Sequence, residues 1–273
     1  MRKKYIYPTG NNFIGTKLSK RRISSILLFL ILGGILSSSC SRKEETELLI
    51  GAAASLEPAM KEIQPLFEEQ YPEIRLSFTF ASSGTIEQQI REGAPVDIFL
   101  SAAKKQITSL EKDELILPDS RVDLFRNEVV LIVPVDSKLG IADFKDITKA
   151  DMIALGDPES VPAGQYAKLI FERLGIWEAT FRKATLGKTV TEVSAWVSSG
   201  EADAGVVYKT DALLNTKLKI AATAPEGEGS IAIYSGAIIK STKFEPQAKE
   251  FLAYLDTKEA EEIMVKYGFD IID

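Results

Sequence analysis

The chain has 273 residues, of which 45% are apolar and 26% charged, and 39 acidic residues outnumber 33 basic ones. It contains no histidine and only one cysteine. The missing histidine excludes Ser-His and Cys-His catalysis and every histidine metal site, and a single cysteine allows no disulfide within the chain. The net charge of −6 makes nucleic acid an unfavourable partner, and we expect none.

The first 39 residues have the pattern of an export signal. Seven lysines and arginines and no acidic residue lie in residues 1–22, residues 23–36 are almost wholly apolar, and small residues follow up to Cys40. Fourteen apolar residues rising about 1.5 Å each are too short to cross a hydrocarbon core of about 30 Å. From Cys40 onward, 26 basic residues face 39 acidic ones, a net charge of −13.

Cys40 follows three serines, Ser37 to Ser39, and resembles the lipidated cysteine of a bacterial lipoprotein signal. The usual bulky residue three places earlier is replaced by Ser37, with Leu36 one place further back. We predict that residues 1–39 are removed and that Cys40 carries a lipid anchor. The protein would then be held on a bacterial membrane, facing the periplasm or the cell exterior. An uncleaved signal anchor and a simple buried thiol are the alternatives.

After a short polar tether at residues 40–45, strand and helix patterns alternate. The predicted strands are 48–54, 74–80, 96–100, 129–135, 153–156, 204–208 and 230–239. The predicted helices are 56–69, 85–92, 163–174, 191–199, 246–255 and 257–267. This alternation predicts an α/β fold with largely parallel sheets.

At three places a predicted strand ends in small residues and a helix begins with serine or glycine. These places are Ser55, Ser83 and the pair Ala163-Gly164. A helix start presents unpaired backbone N–H groups and the positive end of the helix dipole. Together with the serine hydroxyls, these groups suit an oxyanion held by neutral donors. The alternative is that Ser55 and Ser83 are ordinary helix N-caps.

Several blocks in this order resemble the molybdate-binding proteins of ABC transporters. They are 51–56 (GAAASL), 80–85 (FASSGT), 93–99 (GAPVDIF), 156–168 (GDPESVPAGQYAK), 205–208 (GVVY) and 266–269 (KYGF). The resemblance covers nearly all of 45–273. It implies a two-lobed periplasmic-binding-protein fold of type II, with the ligand cleft between lobes joined by a hinge. Lobe I would be 46–126 plus 236–273 and lobe II 127–235, with crossings near Asn127-Glu128 and Tyr234-Ser235.

The same resemblance implies the ligand and its contacts. The family's serine ligands fall on Ser55 and Ser83, its backbone donors on Ala163 and Val190, and its tyrosine ligand on Tyr208. Gly84 stands where relatives often carry a third serine. The implied ligand is molybdate or tungstate, with no cofactor and no other metal. The implied partner is the membrane permease of an ABC importer, and we expect a monomer.

Two other functions remain open from the sequence. The first is a receptor for sulfate or another small anion. The second is an exported hydrolase using the Ser101-x-x-Lys104 pair, although the accompanying motifs of that enzyme class are missing and we predict no enzyme activity. With no charged group predicted at the site, we also expect molybdate affinity to change little between pH 6 and pH 8.

Overall fold

The structure is a computed structural model that describes residues 45–272. Within them, the predicted alternation of strands and helices is confirmed. The strands are β1 (Thr46–Ala53), β2 (Ile74–Ala81), β3 (Ile98–Ser101), β4 (Val122–Pro134), β5 (Ile153–Gly156), β6 (Ala184–Gly187), β7 (Ala204–Tyr208), β8 (Leu218–Thr223), β9 (Ile231–Ile238) and β10 (Asp270–Ile271).

The helices surround this sheet. They are α1 (Glu57–Gln70), α2 (Ser83–Arg91), α3 (Lys104–Lys112), α4 (Pro162–Arg173), α5 (Trp177–Phe181), α6 (Val190–Ser199), α7 (Lys209–Leu213), α8 (Glu245–Tyr254) and α9 (Lys258–Lys266). Two short 3-10 helices cover Ala54–Leu56 and Phe144–Lys149.

The strands run in the order β2-β1-β3-β9-β4-β7-β5-β6, with β8 and β10 also paired to β4. Parallel pairs lie on either side, β1 with β2 and β3, and β5 with β6 and β7. The central strands β9 and β4 are antiparallel to their neighbours. The sheet is therefore mixed, and the prediction of largely parallel sheets holds only for its two sides.

The long strand β4 divides the sheet into two halves. Residues up to Glu128 pair with β9, whereas those from Val129 onward pair with β7 and β8. The first half of the sheet contains β1, β2, β3, β9, β10 and the start of β4. The second half contains the end of β4 with β5, β6, β7 and β8.

The return of the chain differs from the predicted crossing at Tyr234-Ser235. Both residues lie inside β9, opposite Phe125 and Asp123 of β4, and β9 pairs only with β3 and the start of β4, which belong to the first half. The chain therefore crosses back before Ile231. Val129 marks the place, since its amide donates to the Ser230 carbonyl and its carbonyl accepts from the Ala224 amide, at 3.0 and 2.9 Å.

The core consists mainly of aliphatic residues from the strands and the inner faces of the helices. Its largest buried side chains include a group of aromatic rings beneath the boundary between the halves, in which Tyr234 packs edge-on against Tyr208 and Phe269. No helix among residues 45–272 is long and apolar enough to span a membrane. The predicted lipidation residue, Cys40, lies outside the described residues.

Candidate functional site

All five predicted ligand residues line one small cavity of about 10 Å³. The residues around it are Ala53, Ala54, Ser55, Ser82, Ser83, Ala102, Val161, Pro162, Ala163, Val190 and Tyr208. The first six follow or end strands of the first half of the sheet, and the other five belong to the second. The cavity thus lies where the carboxyl ends of parallel strands from both halves meet, a common ligand position in α/β folds.

Ser83 is the first residue of α2, but it does not cap the helix. The N-cap is Ser82, whose hydroxyl oxygen accepts from the Thr85 amide. The Ser83 hydroxyl oxygen instead accepts a 3.0 Å hydrogen bond from the amide of Ala102, and the side chain is fully buried. Because that bond occupies an acceptor position, the hydroxyl proton remains available to a ligand.

Ser55 also departs from the N-cap interpretation. It lies inside the 3-10 helix that joins β1 to α1, and no side chain caps that helix. Its hydroxyl is 2.7 Å from the Tyr234 hydroxyl. Further behind, the Asn127 amide group lies 3.5 Å from the Tyr234 oxygen and donates to the Thr210 hydroxyl at 2.9 Å.

This chain of polar groups has a preferred direction. The Asn127 NH₂ can only donate, so a Tyr234 oxygen that accepts from it can pass its own proton to the Ser55 oxygen. In that direction Ser55 has an acceptor position filled, as Ser83 does, and its own proton is available to a ligand. Both serines can then act as donors.

The second half contributes backbone amides. Pro162 and Ala163 are the first two residues of α4, and Val190 is the first of α6. Amides in a first helical turn have no intrahelical carbonyl to bind, and the helix dipole adds positive potential there. Ala163 and Val190 are both buried in the cavity wall.

Two glycines bring α4 to the end of β5. A Cβ on Gly164 would lie 2.0 Å from the Gly156 carbonyl oxygen, and one on Gly156 would lie 2.6 Å from a methyl group of Val161. Only hydrogen at these two positions allows the start of α4 to pack so closely against β5. This close packing explains the two glycines, Gly156 and Gly164, in the sequence block from 156 to 168.

Tyr208 ends β7 and is one of the residues that line the cavity. The ring is 1% exposed, and the hydroxyl oxygen has no hydrogen-bond partner in the described protein. Burial, and to a smaller extent the neighbouring Tyr234 side chain, raise the pKa of Tyr208 well above its usual value, so the hydroxyl keeps its proton. A buried donor without a partner is uncommon and costs about 1–3 kcal/mol, which suggests that a ligand completes it.

None of the eleven residues that line the cavity carries a charge. Within residues 45–272 there is also no cluster of three or more carboxylates or other side chains able to hold a metal ion. Asp211, three residues beyond Tyr208, is the titratable group of interest, because its carboxylate accepts from the Tyr208 amide at 3.3 Å. Burial raises the pKa of Asp211 to about 7.

The alternative pair Ser101 and Lys104 is not arranged for catalysis. The Ser101 hydroxyl donates to the Ala103 carbonyl at 2.8 Å. The Lys104 ammonium pairs with the Asp123 carboxylate at 2.5 Å. The Ser101 hydroxyl and the Lys104 ammonium are thus each held by another group rather than by each other.

Sequence reasoning missed Tyr234 and Ala102, which lie immediately behind the predicted ligands. Tyr234 belongs to a strand that is distant in sequence and was assigned to the crossing between lobes. Ala102 contributes only its backbone amide, and the identity of its side chain gives no sign of that contact. The strand β3 pairs with β1 on one side and with β9 on the other. Knowledge of this pairing would have placed Ala102, after β3, and Tyr234, in β9, close to the serines.

Comparison with known proteins agrees with this geometry. Residues 48–270 match the family model described as bacterial extracellular solute-binding protein. The chain belongs to this family. It is 39% identical over 249 residues to the putative ABC transporter substrate-binding lipoprotein YvgL of Bacillus subtilis, covering 90% of this chain and 96% of that one. A family of solute-binding proteins, rather than of enzymes, also agrees with the arrangement of Ser101 and Lys104.

Two further relatives connect this chain to molybdenum transport proteins. The molybdate-binding protein ModA of Haemophilus influenzae is 33% identical over 258 residues, covering 93% of this chain and 98% of that one. A solved substrate-binding domain of a putative molybdenum ABC transporter from Clostridium difficile is 36% identical, with a TM-score of 0.65, and covers 84% of this chain and 100% of that one. The predicted resemblance to molybdate-binding proteins and the predicted fold are confirmed.

Proposed function

We propose that this solute-binding component of an ABC transporter binds molybdate or tungstate in the cavity described above and delivers it to a membrane permease. The observation that carries the proposal is the buried hydroxyl of Tyr208, which has no hydrogen-bond partner among the described residues and belongs to a side chain that lines the same cavity as Ser55 and Ser83. The relatives that bind molybdate by name support the choice of ligand.

The ligand contacts that we propose are all neutral. They are the hydroxyls of Ser55, Ser83 and Tyr208 and the backbone amides of Ala163 and Val190. A hydrogen bond from a neutral donor to a charged acceptor contributes about 1.5–3 kcal/mol. A few of them closed off from water reach the roughly 8 kcal/mol of micromolar binding.

The donor-only character of this set gives selectivity. Hydrogen phosphate carries a proton that needs an acceptor, and these five groups would leave that proton unpaired. Sulfate has the charge and shape of molybdate but is smaller, so donors spaced for the larger ion cannot all reach it. We therefore expect sulfate to bind at least ~10-fold more weakly, which corresponds to about 1.4 kcal/mol.

The two halves of the sheet would form the two lobes. On the strand pairing we propose residues 46–128 with 231–272 for the first lobe and residues 129–230 for the second. Because each contributes ligand contacts, binding would draw them together about a hinge at the two crossings. The protein would act as a lipid-anchored monomer through Cys40.

Calorimetric titration of the purified protein with molybdate, tungstate, sulfate and phosphate tests the proposal. We expect tight binding of molybdate or tungstate, weaker binding of sulfate and none of phosphate. Tight sulfate binding without molybdate binding would instead identify a sulfate receptor.

A further inference from the structure

Gly84 makes a direct contact between the two halves of the sheet at the rim of the cavity. It is the second residue of α2 and follows Ser83, whereas Ser160 lies between β5 and α4, three residues before Ala163. The Gly84 amide donates a 2.9 Å hydrogen bond to the Ser160 carbonyl. A single backbone bond thus connects the two walls that carry the serine and alanine donors.

No side chain fits at position 84 in this arrangement. A Cβ there would lie 2.5 Å from the Ser160 carbonyl oxygen, 2.8 Å from its Cα and 3.0 Å from its carbonyl carbon. These are backbone atoms, so no rotation of a side chain could relieve the contact. The two halves would have to separate.

The local structure of α2 gives no other reason for a glycine. Gly84 has an ordinary helical backbone, unlike Gly93, whose φ is +87°. Within a helix, glycine is less favourable than alanine because it loses more conformational freedom on folding. The close approach of Ser160 is what requires it.

Other contacts cross the same boundary nearby. The side-chain NH₂ of Gln106 in α3 donates to the side-chain oxygen of Gln165 in α4 at 3.4 Å. The Tyr166 hydroxyl donates to the backbone carbonyl of Ala102 at 3.5 Å. Both bonds are long, whereas the bond from Gly84 is short and made between backbone groups. It is the shortest of these three contacts.

We propose that Gly84 is a positioning residue for the closed site, and that its amide and its missing side chain allow the two halves to close until Ser83 and Ala163 face the same oxyanion. This inference rests on the proposed function. It concerns a residue that does not line the cavity.

The substitution Gly84→Ala should hinder closure of the two halves around the ligand without destabilising the ligand-free protein. In the open protein the new methyl group meets nothing from the other half, and alanine favours the helix, so the ligand-free melting temperature should be unchanged or higher. Molybdate should bind at least tenfold more weakly. The loss should appear mainly as faster dissociation in stopped-flow measurements, because the closed complex is the state that the methyl group disfavours.

Ser160→Ala is the matched control. The bond uses the Ser160 carbonyl, which the substitution retains, so affinity should remain within twofold of the wild type. Wild-type affinity in Gly84→Ala would overturn the inference, and so would a lowered ligand-free melting temperature, which would place the clash within the first half itself. Failure of the wild type to bind any of the four oxyanions would instead contradict the proposed function.

Discussion

The hydroxyls of Tyr208 and Ser83 come from different halves of the sheet, and each can be tested as a ligand donor by a single substitution. Tyr208→Phe removes a buried hydroxyl that has no partner in the protein, so the ligand-free melting temperature should not fall. Its affinity for molybdate should nevertheless fall by about 1.5–3 kcal/mol, because one bond to a charged acceptor is lost. The two effects, measured by thermal melting and calorimetry, distinguish a ligand contact from a packing residue.

Ser83→Ala should weaken molybdate binding by a similar amount, about 1.5–3 kcal/mol. It also leaves the Ala102 amide without its acceptor, so here a lower ligand-free melting temperature is expected as well. Wild-type affinity in both Tyr208→Phe and Ser83→Ala would show that the proposed ligand contacts are wrong.

Tyr234 is expected to act on the ligand through Ser55. Its hydroxyl lies 2.7 Å from that of Ser55 and, in the direction argued above, donates to it. Tyr234→Phe should therefore weaken molybdate binding by less than Ser55→Ala does. In the double variant the loss should be no larger than in Ser55→Ala alone, because both substitutions remove the same bond. Fully additive losses in calorimetry would mean that Tyr234 does not position Ser55.

At the scale of the element, α7 introduces a titrating group that the sequence did not reveal. Asp211 lies in its first turn, where the helix dipole favours a carboxylate, but burial dominates and raises its pKa to about 7. The sequence did not predict this group, and its expectation that molybdate affinity changes little between pH 6 and pH 8 stays a prediction. Asp211 does not line the cavity, but it gains its charge in this range directly behind Tyr208.

The sign of the effect on stability follows from proton linkage. Between about pH 4 and pH 7 the folded protein keeps the Asp211 proton that the unfolded chain releases, so stability falls as pH rises through this interval. In Asp211→Asn this contribution is absent. The melting temperature of Asp211→Asn relative to wild type should therefore increase from pH 5 to pH 8. A constant difference would show that Asp211 has an ordinary pKa.

The elements themselves could largely be predicted, because each has a clear periodicity. The strand at 204–208 and the helix at 191–199 agree with the structure to within one residue. The edge strands β6 and β8 were missed, since both are short and mostly exposed or half-buried, and the helix α3 was missed although it buries Ile107 and Leu110 on one face. The start of β4 was missed for a related reason, because Val122 and Asp123 are exposed.

The site could be predicted only through its resemblance to a family. Ser55 and Ser83 each precede a helix, and local rules alone made them caps. Their burial and their partners Tyr234 and Ala102 depend on contacts between distant segments. Val190 and Ala163 act through backbone amides, so no property of their side chains marks them.

At the scale of the whole molecule, the predicted export signal at residues 1–39 can be tested separately from the ligand site. The family is extracellular, and a relative is named a lipoprotein, which agrees with a lipid anchor on Cys40. Cys40→Ser should leave the protein unprocessed or release it from the membrane fraction. Fractionation and gel mobility measure both outcomes. Membrane retention and mobility equal to wild type would favour an uncleaved signal anchor.

The central claim is that one oxyanion is held by neutral donors from both halves of the sheet. A crystal structure of the protein with molybdate tests it most directly, because anomalous scattering locates the molybdenum. We predict one oxyanion within hydrogen-bond distance of the hydroxyls of Ser55, Ser83 and Tyr208 and of the backbone amides of Ala163 and Val190. Molybdate bound elsewhere, or held by lysine or arginine side chains, would contradict the account.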